Sequence, residues 1–190
     1  MPIVYALVAR GKTVLAEYTA TSGNFPTVTR VLLGKINSED HKMSYVYDQH
    51  VFHYCVSDSI TYLCLTEDSS SRRIPFAFLD DVKSRFKSTY KNRGKTAIAF
   101  AMNEDFKGVL AKQMEHFNSS GVDSISRVQE RLNDVQNVMM QNIDKVLQRG
   151  EKIELLVDKT HNLSQQAFTF QRQSRKLKNA MWWKNVKMML

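Results

Sequence analysis

The 190-residue sequence predicts an α+β protein: a compact N-terminal domain built on a five-stranded antiparallel sheet with flanking helices, then a long coiled-coil helix. Three observations predict it. Five short runs rich in Val, Tyr, Ile and Phe lie within the first 66 residues, separated by turn-forming residues. Two stretches with the apolar period of an α-helix follow between Pro75 and His116. From Ile125 the apolar period tightens to alternating steps of three and four and holds for 53 residues.

The first strands are residues 3–9 and 13–20, joined by Arg10-Gly11-Lys12, a glycine-bearing hairpin connection. Asn24-Phe25-Pro26 opens a helix reaching about Lys35, with Val28, Val31, Leu32 and Leu33 at helical spacing. Met43–Tyr47, Val51–Val56 and Ile60–Thr66 are strands, punctuated by Asp48-Gln49-His50 and Ser57-Asp58-Ser59, and read as an antiparallel meander. Beyond Pro75, Phe78, Leu79, Val82, Phe86 and Tyr90 form one apolar helical stripe. A second helix runs from Asn103, as N-cap, to His116, turning Phe106, Val109, Leu110 and Met114 inward. Asn118–Gly121 marks the boundary.

The seam that follows comprises Ile125, Val128, Leu132, Val135, Met139, Asn142, Val146, Arg149, Ile153, Leu156, Thr160, Leu163, Ala167, Phe170, Ser174 and Leu177. Twelve of the sixteen are apolar, and one, Arg149, is a charge that no other part of the seam explains. A guanidinium keeps its proton, and a buried charge left unpaired costs several kcal/mol. A homodimer would set two such arginines face to face without acceptors, and a surface-facing Arg149 would need a register break in an unbroken pattern. Partner helices must therefore supply acceptors at that layer. Without partners the stripe has nowhere to be buried, so residues 121–181 are expected to be largely disordered alone and to fold on binding.

Composition excludes several classes. Hydrophobic residues make up 43%, enough for a core. Two cysteines, Cys55 and Cys64, fit a reducing compartment, no basic-then-apolar leader opens the chain, and no run of 18 apolar residues occurs. The net charge of +8 is uneven: residues 1–120 carry 15 basic and 12 acidic side chains, residues 121–171 carry 6 and 7, and residues 172–190 carry 6 and none. A basic zipper would place its cations immediately before the heptads, where Asn118–Asp123 carries none, so no nucleic-acid partner is expected. The five histidines lack metal spacing, and no phosphate loop or nucleophile motif is present, so neither a cofactor nor catalysis is expected.

The run Asn142–Ile153, with Leu155–Thr160 after it, resembles the centre of an R-SNARE motif. Trp182-Trp183-Lys184-Asn185 resembles the synaptobrevin juxtamembrane segment, and Ala9-Arg10-Gly11, Gly23-Asn24-Phe25, Phe52-His53-Tyr54 and Tyr62-Leu63-Cys64 resemble a longin domain. Together these span nearly the whole chain, which is similar to the longin-type, tetanus-insensitive vesicle-associated membrane proteins. The resemblance implies a profilin-like longin domain at 1–118, a linker at 119–124, the R-SNARE motif at 125–181 and a juxtamembrane segment at 182–190, with a transmembrane anchor to follow and read here as truncated. It implies zippering with three Q-SNARE helices, syntaxin-like and SNAP-like, into a four-helix bundle that fuses membranes, with Arg149 as the central ionic layer. It also implies a longin groove, for which Val28, Val31, Leu32, Met43 and Tyr45 are the candidates, that binds trafficking adaptors or the protein's own SNARE motif. The implied location is the cytosolic face of vesicle, late endosomal or lysosomal, or plasma membranes. Trp182, Trp183, Lys184 and Lys187 suit the headgroup zone of an anionic leaflet better than a protein core. The alternative reading is a longin-like scaffold subunit of a coat or tethering complex, which has no need of a single central arginine.

Overall fold

The computed structural model describes residues 2–67, 72–119, 138–148 and 150–158. Strands β1 (Ile3–Arg10) and β2 (Thr13–Thr19) form the first hairpin, turning at Gly11 with a φ of 52°, which glycine adopts without steric cost. A two-residue strand, β3 (Ser22–Gly23), leads into helix α1 (Phe25–Leu33), with Pro26 in its first turn, where the missing amide is no loss. Strands β4 (His41–Tyr47), β5 (His50–Ser57) and β6 (Ile60–Thr66) form the meander. At the β5–β6 turn Asp58 and Ser59 both hold positive φ, the backbone that matches strand twist in a two-residue hairpin. Helix α2 (Arg73–Tyr90), a 3-10 turn (Lys91–Lys95) and helix α3 (Asn103–Ser119) complete this part.

The five strands are antiparallel in the order β2-β1-β6-β5-β4. A sixth, β7 (Met139–Asn142), adds to β4 in parallel, and β8 (Val157–Asp158) pairs with β3. The expected five-stranded sheet is thus enlarged by a strand from the seam region.

Alternation divides the sheet into two faces. Ile3, Ala6, Val8, Leu15, Tyr62 and Cys64 lie under α2 and α3, which bring Phe76, Leu79, Val82, Phe86, Phe106 and Leu110 down onto them. Tyr5, Leu7, Phe52, Tyr54, Leu63 and Leu65 face the other way, under α1 with Phe25, Val28 and Leu32. One helix, roughly 10 Å across, covers about two strands spaced ~4.8 Å apart. The face that α1 alone roofs therefore keeps an apolar strip along β5 and β4. That strip is the groove.

Two details differ from the sequence reading. Asn103 is the first helical residue of α3, and its side-chain oxygen accepts from Glu17 N of β2 at 2.9 Å, so it ties helix to sheet instead of capping. The helix also continues to Ser119, where Asn118 brackets Ile3: it accepts from Ile3 N at 2.7 Å and donates to Ile3 O at 3.0 Å.

His53 is fully buried in the sheet between two hydroxyls: Nδ1 lies 2.8 Å from Ser44 Oγ and Nε2 lies 3.2 Å from Thr66 Oγ1. Both ring nitrogens are satisfied in the neutral form. Burial, with the Arg72 charge adding to it, pushes its pKa down to about 3. Between that value and the ordinary histidine value near 6.5 the unfolded chain binds a proton that the folded chain refuses, so stability rises with pH across this window and falls on acidification. The slope attributable to His53 is about 1.4 kcal/mol per pH unit. His53→Gln is expected to flatten the loss of Tm between pH 6.5 and pH 4; an unchanged slope would assign the acid sensitivity to other groups.

Candidate functional site

The groove lies between α1 and the β4 edge. Left alone, β4 would present unpaired amides and carbonyls along seven residues. Strand β7 covers that edge, with Met43, Ser44, Tyr45 and Val46 opposite Met139, Met140, Gln141 and Asn142. The Arg72 guanidinium, at the start of α2, donates to Val138 O at 2.6 Å and holds the strand's entry. Val138 packs with the α2–α3 side of the sheet, whereas Ile143 packs with the α1 side, so the segment wraps round the β4 edge.

A 3-10 turn (Ile143–Lys145) makes the crossing, opened by the Asn142 side chain, which accepts from Asp144 N at 2.9 Å. Ile143 and Leu147 then enter the cluster formed by Phe25, Val28, Leu32, Tyr45 and Tyr47; they are 0% and 6% exposed. Burying two such side chains contributes a gross ~3–6 kcal/mol. Val146, Ile153, Leu155 and Val157 pack against the same cluster, each partly buried.

Polar contacts hold the far end. The Tyr47 hydroxyl donates to Ile153 O. Asn24 Nδ2 donates to Glu154 O at 2.7 Å, Asn24 Oδ1 accepts from Leu156 N at 2.8 Å, and Asn24 N donates to Leu156 O at 3.2 Å. One asparagine therefore behaves as an extra strand residue. Beside it, a Cβ on Gly23 would lie 2.5 Å from Leu156 O, so only glycine admits the chain this closely. Lys35 pairs with Glu151 at 2.9 Å and Lys152 with Asp144 at 3.0 Å, and Lys152 Nζ stands 5.6 Å above the Tyr47 ring. The Gln148 backbone, then Lys35, hold Glu151 below the usual carboxylate range, and the Asp144 hydrogen bond raises Lys152. These pairs are exposed and screened, so they orient the segment more than they fasten it.

Of the groove residues expected from the sequence, Val28, Leu32 and Tyr45 are buried and Val31 and Met43 partly so, all against one cluster. The seam positions divide differently. Met139 and Leu156 are 55% and 57% exposed. Asn142 is exposed, and Val146 and Ile153 are half-buried. The groove thus takes a second stripe, Ile143 and Leu147 one turn apart, and leaves much of the seam outward. Arg149 lies outside the described residues, as do Ile125, Val128, Leu132, Val135, Thr160, Leu163, Ala167, Phe170, Ser174 and Leu177. Trp182, Trp183, Lys184 and Lys187 lie outside them too.

Sequence reasoning missed Asn24, Arg72, Tyr47, Ile143 and Leu147 as working residues. Only the last two carry a local signal: they are apolar, four apart and off the heptad, which a seam alone does not require. Among the described residues no three His, Cys, Asp or Glu side chains converge as a metal site. The geometry fits one task, holding a stretch of chain in a form other than continuous helix.

The family model for the Regulated-SNARE-like domain, Longin, matches residues 15–110, and the Synaptobrevin model matches residues 124–190. The chain is 55% identical to Vesicle-associated membrane protein 7B of Dictyostelium discoideum, covering all of this chain and 74% of that protein. It is 47% identical to Vesicle-associated membrane protein 711 of Arabidopsis thaliana, covering 99% of this chain and 87% of the relative. It is 44% identical to Vesicle-associated membrane protein 7 of Homo sapiens, at 99% and 86%.

Asn24 occupies the N-cap of α1 but makes no side-chain cap bond there, so removing its amide leaves that helix end as it is. Asn24→Ala should cost the seated segment the two side-chain bonds, about 1–3 kcal/mol, and leave the Tm of the domain within a degree or two. The amide resonances of Leu156 and Val157 should move to random-coil positions. If they stay in place, the clasp contributes nothing.

Proposed function

The chain belongs to the longin-domain synaptobrevin family, the R-SNAREs of vesicle fusion, and on that premise we propose that its N-terminal domain restrains the fusion segment by holding part of it in the groove. The chain is a trafficking protein and not an enzyme. Its units are a longin domain at 1–118, a linker at 119–124, the R-SNARE motif at 125–181 and a juxtamembrane segment at 182–190.

The observation that carries this reading is the seating of residues 139–148 and 150–158 against β4, α1 and β3. In a four-helix bundle the same residues must be helical, with Met139, Asn142, Val146, Ile153 and Leu156 turned to the centre. A residue cannot hold strand and helix dihedrals at once, so the two states exclude each other. Exclusion acts through backbone conformation more than by hiding seam side chains, since Met139 and Leu156 stay exposed.

Magnitudes decide the direction. Twelve apolar layers in a bundle bury a gross ~18–36 kcal/mol against ~3–6 for Ile143 and Leu147 in the groove. Tethering raises the effective concentration of the segment to about millimolar, so modest contacts suffice for restraint. Three Q-SNARE helices, syntaxin-like and SNAP-like, thus displace the groove, and the fold-back acts as a brake on assembly. Arg149 then supplies the central ionic layer and penalises partners that bring no acceptors to it. Trp182, Trp183, Lys184 and Lys187 meet the anionic headgroups of the vesicle on which the protein acts, in late endosomal, lysosomal or secretory traffic. Adaptors that sort the protein read either the vacant groove or the closed surface.

Replacing both Ile143 and Leu147 with aspartate should release the segment and speed assembly with Q-SNARE helices, by tenfold or more for a loss of ~3 kcal/mol. Because both lie off the seam, the melting temperature of the finished complex should change little. Equal rates for variant and parent, followed by donor–acceptor fluorescence, would overturn the restraint. Arg149→Leu should still assemble but lose discrimination between in-register and shifted partners in a competition assay.

A further inference from the structure

At the edge of the sheet opposite the groove, the connection from the 3-10 turn Lys91–Lys95 to α3 carries an apolar tip that the core does not use. Ile98, Ala99, Phe100 and Ala101 are consecutive and all exposed, Ile98 at 79% and Phe100 at 37%. The tip is held firmly. Phe100 N donates to Val14 O at 2.8 Å and Met102 N to Leu15 O at 3.3 Å, both on β2, while Ala101 N bonds Ile98 O at 3.2 Å. Met102 is buried as an anchor, and Asn103 holds Glu17 N. Phe100 has a φ of 58°, a costly conformation for an aromatic residue, and its ring is still not in the core.

The stretch of chain that carries the tip has charge of one sign. Residues 91–103 contain Lys91, Arg93 and Lys95 and no acid; all three are exposed. The carboxylates nearby are engaged: Asp58 pairs with Lys87 at 2.5 Å, and Glu104, on the first turn of α3, with Lys107 at 3.4 Å. Glu17 on β2 is tied to Tyr5 and Arg30, and Asp105 stands beside Glu104 on α3. Apolar side chains at a hydrogen-bonded tip, with exposed cations on the turn just before it, match the interface of an anionic bilayer: the tip reaches the acyl boundary while the cations meet headgroups. A protein groove would favour apolar residues but gives no reason for the cations on that turn.

We propose that the Ile98–Ala101 tip inserts into the interfacial layer of an anionic membrane, with Lys91, Arg93 and Lys95 on the headgroups, and so lays the longin domain on the bilayer. The inference rests on the proposed reading only in that the chain works beside a membrane. The tip packs on β2 and the restrained segment on β4, at the two ends of the five-stranded order and so roughly 19 Å apart at ~4.8 Å per strand spacing. Docking on lipid is therefore compatible with the closed state. Preorganisation of the tip reduces the ordering cost of insertion.

The test uses the whole 190-residue chain, labelled at Ala99→Cys with an environment-sensitive dye; Cys55 and Cys64 are buried and their thiols held in the protonated form. With vesicles containing phosphatidylserine the emission should shift to the blue and be quenched by lipid-borne quenchers, and vesicles of phosphatidylcholine alone should give neither. Phe100→Asn keeps a residue tolerant of positive φ and removes the ring. It should retain the Tm and abolish the quenching, whereas a purely structural Phe100 would show an altered Tm and intact quenching. Replacing each of the three cations with glutamine should weaken the response roughly fivefold per residue. A chain that sediments with the vesicles while the Ala99 dye stays unshifted would overturn the proposal and leave the juxtamembrane reading standing. A dye that responds to a soluble partner protein and not to lipid would also overturn it. Failure of the chain to assemble with Q-SNARE helices would sink the proposed function without touching this result.

Discussion

A sheet with one open edge and one half-roofed face depends on something being laid against both, and the pairing of β7 with β4 together with the entry of Ile143 into the α1 face supplies it. Strand β4 would otherwise expose a flat edge, and Tyr45, Tyr47, Phe52 and Tyr54 a strip of aromatic surface beyond the reach of a nine-residue α1. The seated segment satisfies the edge by main-chain hydrogen bonds and the strip by side-chain burial within about ten residues. The contacts downstream, from Tyr47 to Ile153 and from Asn24 to Leu156, extend the same closure towards β3. The opposite face has α2 and α3 as its own roof and takes only Val138 from the segment.

The segment that closes the domain carries two apolar stripes offset from each other. The heptad stripe is spaced for a bundle, and Ile143 with Leu147 is spaced for a groove. The separation is partial, because Val146 and Ile153 of the seam also pack against the groove cluster, but the two most buried groove residues, Ile143 and Leu147, lie off the heptad. In the proposed function the balance between states rests on backbone conformation: the 3-10 turn and two short strands seen here against the helix that a bundle requires. Neither side of that balance needs titration near neutral pH. Glu151 is held low and Lys152 high, so both keep their charges across the physiological range. The buried histidine that does shift, His53, sits under Ser44, one strand in from the segment, and bears on the domain's stability in acid.

The strands of the domain were legible because alternation and turn chemistry are local: Asp58-Ser59 sits in the hairpin geometry its residue types favour. Helix α1 was legible for the same reason, with Asn24-Phe25-Pro26 at its start. What the Asn24 side chain does was not, since its partner Glu154 is 130 positions away. Asn103 shows the same limit: a good capping residue by type, it serves β2 instead. Strand β7 was the hardest to foresee. Met-Met-Gln-Asn has no β-branched residue and lies on a heptad, so local propensity favours helix, and only the vacant β4 edge makes it a strand. The groove positions Val28, Val31, Leu32, Met43 and Tyr45 rest on the family resemblance, since periodicity alone would assign them to the core.

In the absence of partner helices residues 139–148 and 150–158 lie against the domain, as a strand at Met139–Asn142, a 3-10 turn at Ile143–Lys145 and a short strand at Val157–Asp158. Hydrogen exchange of the free 190-residue chain tests it most directly. The account predicts that the paired amides of Met139–Asn142 and the Leu156 amide exchange well below the unstructured-peptide rate in the free chain, and that their protection moves to a helical pattern once Q-SNARE helices are added. Exchange at the unstructured rate throughout 139–158 in the free chain would contradict it.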